Sequence, residues 1–303
     1  MISYPRISVI TPSFNQGRYI EATILSVLDQ GYPDLEHIVV DGGSADETLE
    51  ILARYPHLTI ISEPDRGQAE AVNKGLRLAS GDIVGWLNSD DTYYPGALAG
   101  AAETINPAGG IYIAMGRCVY IDEAGEPTGA EHPSAFVSHR RVVEIWKGYA
   151  IPNPAVFFHR TVYEVCGGLD ESLYFALDYD LFCRYTSRFA ITAVDRIWAT
   201  YRLHLSAKTS EQSQGELLER SLQVSRRYWG EAGSIRWWRY QLSFWLYGGT
   251  LGIAALKRLN RAEKAWQEKK LVPFLLHLIL SFCLFPPTVV RCLLLPRLKE
   301  VSR

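Results

Sequence analysis

Two adjacent carboxylates, Asp90 and Asp91, close the stretch DIVGWLNSDD that runs from Asp82 to Asp91, in which Ile83, Val84, Trp86 and Leu87 are apolar. The pattern predicts a buried strand that ends on an acidic pair with no basic residue beside it. Adjacent carboxylates repel each other and resist desolvation, so something cationic belongs opposite them. A hard divalent ion, Mg2+ or Mn2+, takes oxygen ligands and commonly bridges one or two carboxylates to phosphates. There it neutralises charge building on a leaving group, as a Lewis acid. Asp91 is then the direct ligand, with Asp90 beside it. The plainer alternative is that Asp90 or Asp91 caps the helix that follows TYYPGAL.

The elements that must position this pair are legible in the first hundred residues. RISVI predicts a first strand, and RYIEATILSVLDQ a helix with Ile20, Ile24, Val27 and Leu28 at helical spacing. EHIVVD is a second strand. Ser44 and Glu47 form a capping box that opens the helix ETLEILARY. LTIIS, the helix GQAEAVNKGLRLAS and the strand DIVGWLN complete four strand–helix units. Such a series implies a mostly parallel α/β sheet flanked by helices, which binds ligands outside the carboxyl ends of its strands. Every loop at those ends is polar or acidic: Thr11-Pro12-Ser13-Phe14-Asn15, Asp41-Gly42-Gly43-Ser44, Glu63-Pro64-Asp65-Arg66-Gly67 and Asn88-Ser89-Asp90-Asp91. Neither GxGxxG nor GxxxxGK[ST] follows the first strand, which removes most of the weight from dinucleotide oxidoreduction and P-loop chemistry. Beyond Gly110 the pattern predicts a hairpin turning near Glu123–Gly125, a strand in PAVFFHR, a helix from DYDLFCRYTSR, and two closing strands, AITAV and WATYRLH.

These stretches, taken together, resemble glycosyltransferase family two, the inverting enzymes with the GT-A fold. The resemblance covers roughly Ile7–Ser206 and rests on ISVITPSFNQGRYIEATILSVLDQ, VVDGGSADET, EPDRGQAEAVNKGLRLASGDIVGWLNSDD and GGLDESLYFALDYDLFCRY, in that order. It implies a catalytic domain over residues 1–210, with a nucleotide-binding half in 1–100 and an acceptor half in 101–210. It also implies a nucleotide-diphosphate sugar donor, with UDP expected, and a divalent metal cofactor. Residue by residue, Thr11, Pro12 and Phe14 floor the nucleoside and Asp41 accepts from a uracil-type N–H. Arg66 reaches the base or phosphates, Asn73 on the next helix joins the nucleotide contacts, Asp90 meets the metal or the ribose, and Asp91 meets the metal. His204 matches a histidine near the diphosphate, sometimes on the metal; by itself a lone histidine is more often structural. Asp178 matches the general base that takes the acceptor hydroxyl's proton. Asp180, its rival, reads as a first-turn carboxylate facing the helix dipole. One position departs from the family pattern: Asn88 stands where the family often has a first Asp, which leaves the ion to the last two carboxylates.

The totals frame the rest. The 303 residues are 48% hydrophobic and 12% aromatic, ample for a core, so disorder is not expected. The net charge of −2 hides an asymmetry: residues 1–219 carry 16 Lys/Arg against 29 Asp/Glu, whereas residues 220–303 carry 15 against 4. Five scattered cysteines without CxxC spacing argue against a zinc site or disulfide framework and suggest a reducing compartment. The N-terminal apolar run is too short for a signal peptide. Residues 211–303 form a separate helical region. In it IRWWRYQLSFWLYGGTLGIAAL is rich in aromatics, and LVPFLLHLILSFCLFPPTVV gives 20 residues without a formal charge, flanked on both sides by Lys/Arg. Its three prolines and the basic residues at both ends favour a membrane-surface or re-entrant anchor over residues 235–296 rather than a span. The alternative is a buried helical pair or a homo-oligomer interface. The expected partners are a nucleotide sugar, a saccharide or lipid-linked acceptor and the inner face of the cell membrane. Nucleic acid is not expected, because the aromatics merge into apolar runs. A sugar nucleotidyltransferase and a non-catalytic GT-A-like partner are the rival functions. The first would need a basic phosphate loop where TPSFNQGR offers only Gly17 and Arg18.

Overall fold

The computed structural model describes residues 4–136, 138–204 and 214–246, with isolated positions between 258 and 280. It divides into two compact units. The first is Met1–Val142 with Ala150–His204; the second is Val143–Tyr149 with Leu205–Arg303.

The first unit is one sheet of eight strands. In chain order these are β1 (Ile7–Ser13), β2 (Leu35–Asp41), β3 (Leu58–Ser62), β4 (Ile83–Trp86), β5 (Ile113–Ile121), β6 (Pro127–His132), β7 (Val156–His159) and β8 (Ile191–Arg202). The sheet runs β3-β2-β1-β4-β7-β5-β6, with β8 on β5. β1 to β4 are mutually parallel, as their strand–helix alternation requires, and β7 then joins β4 in the antiparallel sense. All seven residues of β1 are buried, as befits a central strand covered on both faces, whereas edge strand β3 has none buried. β1 is flanked by β2 on one side and β4 on the other, so the strand order reverses between β1 and β4, the point at whose carboxyl ends open α/β sheets take ligands.

Helix α1 (Gly17–Leu28) buries Tyr19, Ile20, Thr23, Ile24 and Val27, which includes three of the four residues predicted from helical spacing; the fourth, Leu28, is exposed. The next helices are α2 (Thr48–Leu52), α3 (Gln68–Leu78), α4 (Ala97–Thr104), α5 (His139–Val143), α6 (Arg160–Cys166) and α7 (Leu177–Thr186). The capping box read at Ser44 and Glu47 is not formed. Ser44 Oγ donates to Asp41, and Asp46 instead accepts from the Thr48 N–H and from Gly17 N–H at the start of α1. Helix α4 starts after Gly96, so neither Asp90 nor Asp91 caps it. The two closing strands expected near the end are one strand, β8. It stays paired with β5 through register shifts around Arg117, which absorb the polar Asp195-Arg196 that reads as a break in the sequence. Trp86 and Trp198 are core residues, 4% and 1% exposed.

In the second unit, Val143–Tyr149 accompanies α8 (Gln214–Arg226) and α9 (Ile235–Leu246). Trp146 packs edge-on to Trp229 with ring centroids 5.7 Å apart, and Trp229 Nε1 donates to Ser225 Oγ. Tyr240 and Phe244 of α9 complete this small aromatic core. Most of the apolar stretch 235–296 lies outside the described residues.

Candidate active site

The acidic loop after β4 is laced to the far end of β8. Thr200 N–H donates to the Thr92 carbonyl, Thr92 N–H to Thr200 Oγ1, and Tyr94 N–H to the Trp198 carbonyl. Arg202 continues the pattern: its backbone N–H donates to Asp91 Oδ1 at 2.9 Å, and its Nε donates to the Asp90 carbonyl at 2.8 Å. Two residues later the chain delivers His204 to the same rim, with Nε2 3.0 Å from Asp90 Oδ2. The His204 side chain is fully covered, while that of Asp90 keeps 21% of its surface. Tyr19 of α1 packs against the imidazole, with centroids 4.7 Å apart, and the Arg202 guanidinium lies 5.2 Å from the Tyr19 ring centroid.

The two carboxylates therefore differ in environment. Asp91 is 2% exposed, and both its oxygens accept hydrogen bonds inside the protein, from Arg202 N–H and from Asn88 Nδ2 at 3.2 Å. Burial, reinforced by the Asp90 charge, pushes the Asp91 carboxyl well above the usual carboxylate range. Asn88 in turn accepts from Trp86 Nε1 and Gln68 Nε2 at 3.0 and 2.9 Å. Asp91, read from the sequence as the direct metal ligand, thus faces inward, and it is Asp90 that faces His204. The partly open Asp90 carboxylate suits a hard divalent ion, and the covered His204 Nε2 beside it would join as a ligand by giving up its contact with Asp90. Among the described residues no group of three or more His, Cys, Asp and Glu side chains converges on one point. Two protein ligands suffice for Mg2+ or Mn2+, which keep waters and take phosphate oxygens.

Beside this rim, the loops after β1 and β2 are stitched together. Asn15, in a left-handed conformation (φ 51°), donates its N–H to Ser44 Oγ and accepts from Ala45 N–H. Asp41, expected to receive a base N–H, is fully buried. It accepts four hydrogen bonds, from the backbone of Gly43 and Ser44 and from the hydroxyls of Ser44 and Ser62. Four donors match a carboxylate's lone-pair sites, so this acid already holds the turn. Gly42 follows because the Asp65 carboxylate sits where a side chain would begin, 2.8 Å from an added Cβ. Thr11 and Pro12 are buried, Thr11 Oγ1 lies 3.0 Å from His37 Nε2, and Phe14 is 59% exposed. Arg66 is exposed and shared between Glu70 and Glu171.

Asn73, expected at the nucleotide, is engaged elsewhere. Its carboxamide accepts from Leu169 N–H and donates to the Leu169 carbonyl and to Glu171 Oε1. The segment so held leads into α7, whose first turn carries Asp178, half-buried, and Asp180, buried and bonded to Arg184 Nε at 2.9 Å. Ala176, immediately before α7, has φ 58°, a conformation that non-glycine residues adopt at a cost and that clusters at functional sites. Asn153 donates to the Trp86 carbonyl, which sets it beside the acidic loop. Arg202, Tyr19, Gln68 and Glu171 were not singled out from the sequence. Arg202 alone carried a signal, a cation at the end of the run Ile197–Tyr201 and two residues before His204.

A parallel half, β1 to β4, joined to a mixed half in which β4–β7, β7–β5 and β5–β6 are antiparallel and β5–β8 is parallel, with an acidic pair at the switch point, is the GT-A architecture. Residues 8–166 match the Glycosyl transferase family 2 description, and the chain belongs to that family of glycosyltransferases. An uncharacterized glycosyltransferase of Mycobacterium tuberculosis is 33% identical over 192 residues, spanning 61% of this chain and 70% of that protein. TuaG of Bacillus subtilis, named for teichuronic acid biosynthesis, is 45% identical over 94 residues, 29% of this chain and 37% of its own length. Among solved structures, Staphylococcus aureus TarS 1–349 with UDP-GlcNAc superposes with a TM-score of 0.55 at 18% identity over 90% of each chain. The mannosyltransferase PcManGT of Pyrobaculum calidifontis, with GDP-Man and Mn2+, gives 0.52 at 19% identity over 92% of this chain and 86% of that one. These two likenesses are of fold.

Proposed function

We propose that the protein is an inverting glycosyltransferase that moves a sugar from a UDP-linked donor to a hydroxyl of a saccharide or lipid-linked acceptor. The observation that carries this reading is the Asp90–His204 pair, 3.0 Å apart at the carboxyl end of β4. The nucleotide sugars bound to TarS and PcManGT and the saccharide-polymer relatives, TuaG and an Escherichia coli chondroitin synthase, support it. Asp90 and His204 would hold a divalent ion, which supplies charge neutralisation to the departing diphosphate. Asp91 and Arg202 position Asp90 from behind. Thr11, Pro12 and Phe14 border the nucleoside, Asp41 shapes the turn beside it, and Arg66 exchanges a carboxylate for a phosphate when donor arrives.

In the reaction Asp178 takes the proton of the acceptor hydroxyl. The oxygen so freed forms a bond to the anomeric carbon as the bond from that carbon to the diphosphate oxygen breaks. Configuration inverts in one displacement, and the nucleoside diphosphate leaves with the bonding pair. Release of UDP from a panel of UDP-sugars, with and without Mn2+ and with GDP-mannose as a control, tests the proposal. Wild type is expected to need Mn2+, and Asp178→Asn to bind UDP normally yet transfer nothing. Transfer by Asp178→Asn at the wild-type rate, or turnover of GDP-mannose alone, would refute the corresponding assignment.

The second unit fits a peripheral place on the inner face of the cell membrane. Ile235, Trp238 and Leu242 form an exposed apolar stripe on α9, beside the exposed Arg236 and Arg239. Among the described residues no helix is long and apolar enough to cross a membrane. An amphipathic face of this kind lies in the plane of an anionic surface.

A further inference from the structure

Asn73 lies in the first half of the chain and reaches 96 residues ahead to grip a single backbone unit. Its Oδ1 accepts from Leu169 N–H at 2.8 Å, and its Nδ2 donates to the Leu169 carbonyl at 3.0 Å. A carboxamide that meets both polar groups of one residue imitates a β-bridge and leaves that residue no freedom to rotate. The grip is buried, with Asn73 8% and Leu169 5% exposed. The preceding residue must be glycine for reasons of space: a Cβ on Gly168 would lie 2.2 Å from Asn73 Oδ1 and 3.1 Å from its Cγ. From the other side, Arg184 of α7 donates to the carbonyls of Cys166 and Gly168, both at 2.7 Å, while Asp180 fixes its guanidinium. Gly168–Leu169 is therefore held between α3, in the nucleotide half, and α7, which bears Asp178 on its first turn.

We propose that Asn73 is a positioning residue: with Gly168 it forms a clip that, through Arg184, sets where α7 holds Asp178 relative to the nucleotide half. The role rests on Asp178 being the base. Positioning of this kind acts on turnover rather than on nucleotide affinity, since a displacement of about 1 Å at a reacting group costs on the order of 100-fold in rate.

The test pairs two variants that open the clip by different means. Asn73→Ala removes the grip, and Gly168→Ala pushes it apart. Each is expected to lower kcat about 10- to 100-fold, read as UDP release from the UDP-sugar that turns over. The Kd for UDP with Mn2+, measured by calorimetry, should stay within about 3-fold, since nucleotide contacts are retained. The double variant should be no worse than Asn73→Ala, because with the amide gone the added methyl meets only Tyr163 Cε2, at an ordinary contact distance of 3.5 Å. Multiplicative losses, or a Kd that weakens in step with kcat, would return Asn73 to the nucleotide and overturn the clip. Wild-type hydrogen exchange gives an answer even if the variants fail to fold: the Leu169 amide should be strongly protected, and exchange at the rate of an open loop refutes the grip. Normal turnover by Asn73→Ala beside an inactive Asp178→Asn sinks the clip alone. Normal turnover by Asp178→Asn sinks the base assignment and this role with it.

Discussion

His37 offers a quantitative test of the packing beneath the loop that follows β1. It lies in β2, is 2% exposed, and meets Thr11 Oγ1 through Nε2, while Nδ1 has no hydrogen-bond partner. A protonated ring would carry an N–H at Nδ1 with nothing to receive it. Burial, with a smaller contribution from His57, lowers the imidazole from 6.5 to about 3. The unfolded chain therefore binds a proton below pH 6.5 that the folded chain refuses until about pH 3, so stability falls as pH falls through that window. Between pH 7.5 and pH 5 the loss from this one residue comes to about 2 kcal/mol, which corresponds to roughly 4–8 °C in Tm for a unit of this size. Urea unfolding of wild type and His37→Gln at the two pH values isolates the effect, because the other titrating groups cancel in the difference. Glutamine keeps an amide for Thr11 and cannot titrate, so the variant should lose about 2 kcal/mol less than wild type over the interval. Equal losses, or an NMR titration of His37 near pH 6.5, would refute the reasoning.

Two further outcomes separate the roles assigned above. Asp90→Asn should weaken Mn2+ binding in the presence of UDP by about 10-fold or more, read by electron paramagnetic resonance, given that even outer partners of metal ligands are worth 10- to 100-fold. Asp91→Asn should leave that affinity within about 3-fold but lower stability by about 1–3 kcal/mol, because its new amino group must face either Arg202 N–H or Asn88 Nδ2. Equal loss of Mn2+ in both would put the ion back on Asp91. For the second unit, Trp238→Glu should reduce sedimentation of the full chain with phosphatidylglycerol vesicles about 10-fold, through the lost burial of a large ring. Unchanged sedimentation, or equal binding to neutral vesicles, would remove the proposed membrane surface.

The parallel half of the sheet and its four polar loops were legible because they depend on local signals: β-branched runs, helical spacing and glycine turns. The aim of the side chains was not. Asp41, Asn73 and Asp91 sit at the right ends of the right elements, yet contacts with Ser62, Leu169 and Arg202, at separations of 21 to 111 residues, engage their polar atoms within the protein. The family resemblance put Asp90 and His204 near one ion, but their direct contact was not legible in local pattern, because it follows from the pairing of the Asp90 loop with β8. The two closing strands were misread for a related reason. A bulge lets β8 carry Asp195 and Arg196 without leaving β5, and one-dimensional alternation registers that as an end.

Asn88 shows why the departure from the family's acidic pattern need not weaken the site. Its Oδ1 collects two donors, Trp86 Nε1 and Gln68 Nε2, and its Nδ2 faces Asp91 Oδ2 at 3.2 Å. A carboxylate at position 88 would satisfy the two donors but set an oxygen against the oxygen of a buried acid whose ionised form is already disfavoured by burial and by Asp90. The amide resolves that conflict by donating. It removes one negative charge from the rim and holds Asp91 in place, and Asp91 and Arg202 together hold the backbone of Asp90. With Asp91 buried and Asp90 partly exposed beside His204, a divalent ion held on Asp90, as proposed above, leaves the buried acid behind it as scaffold.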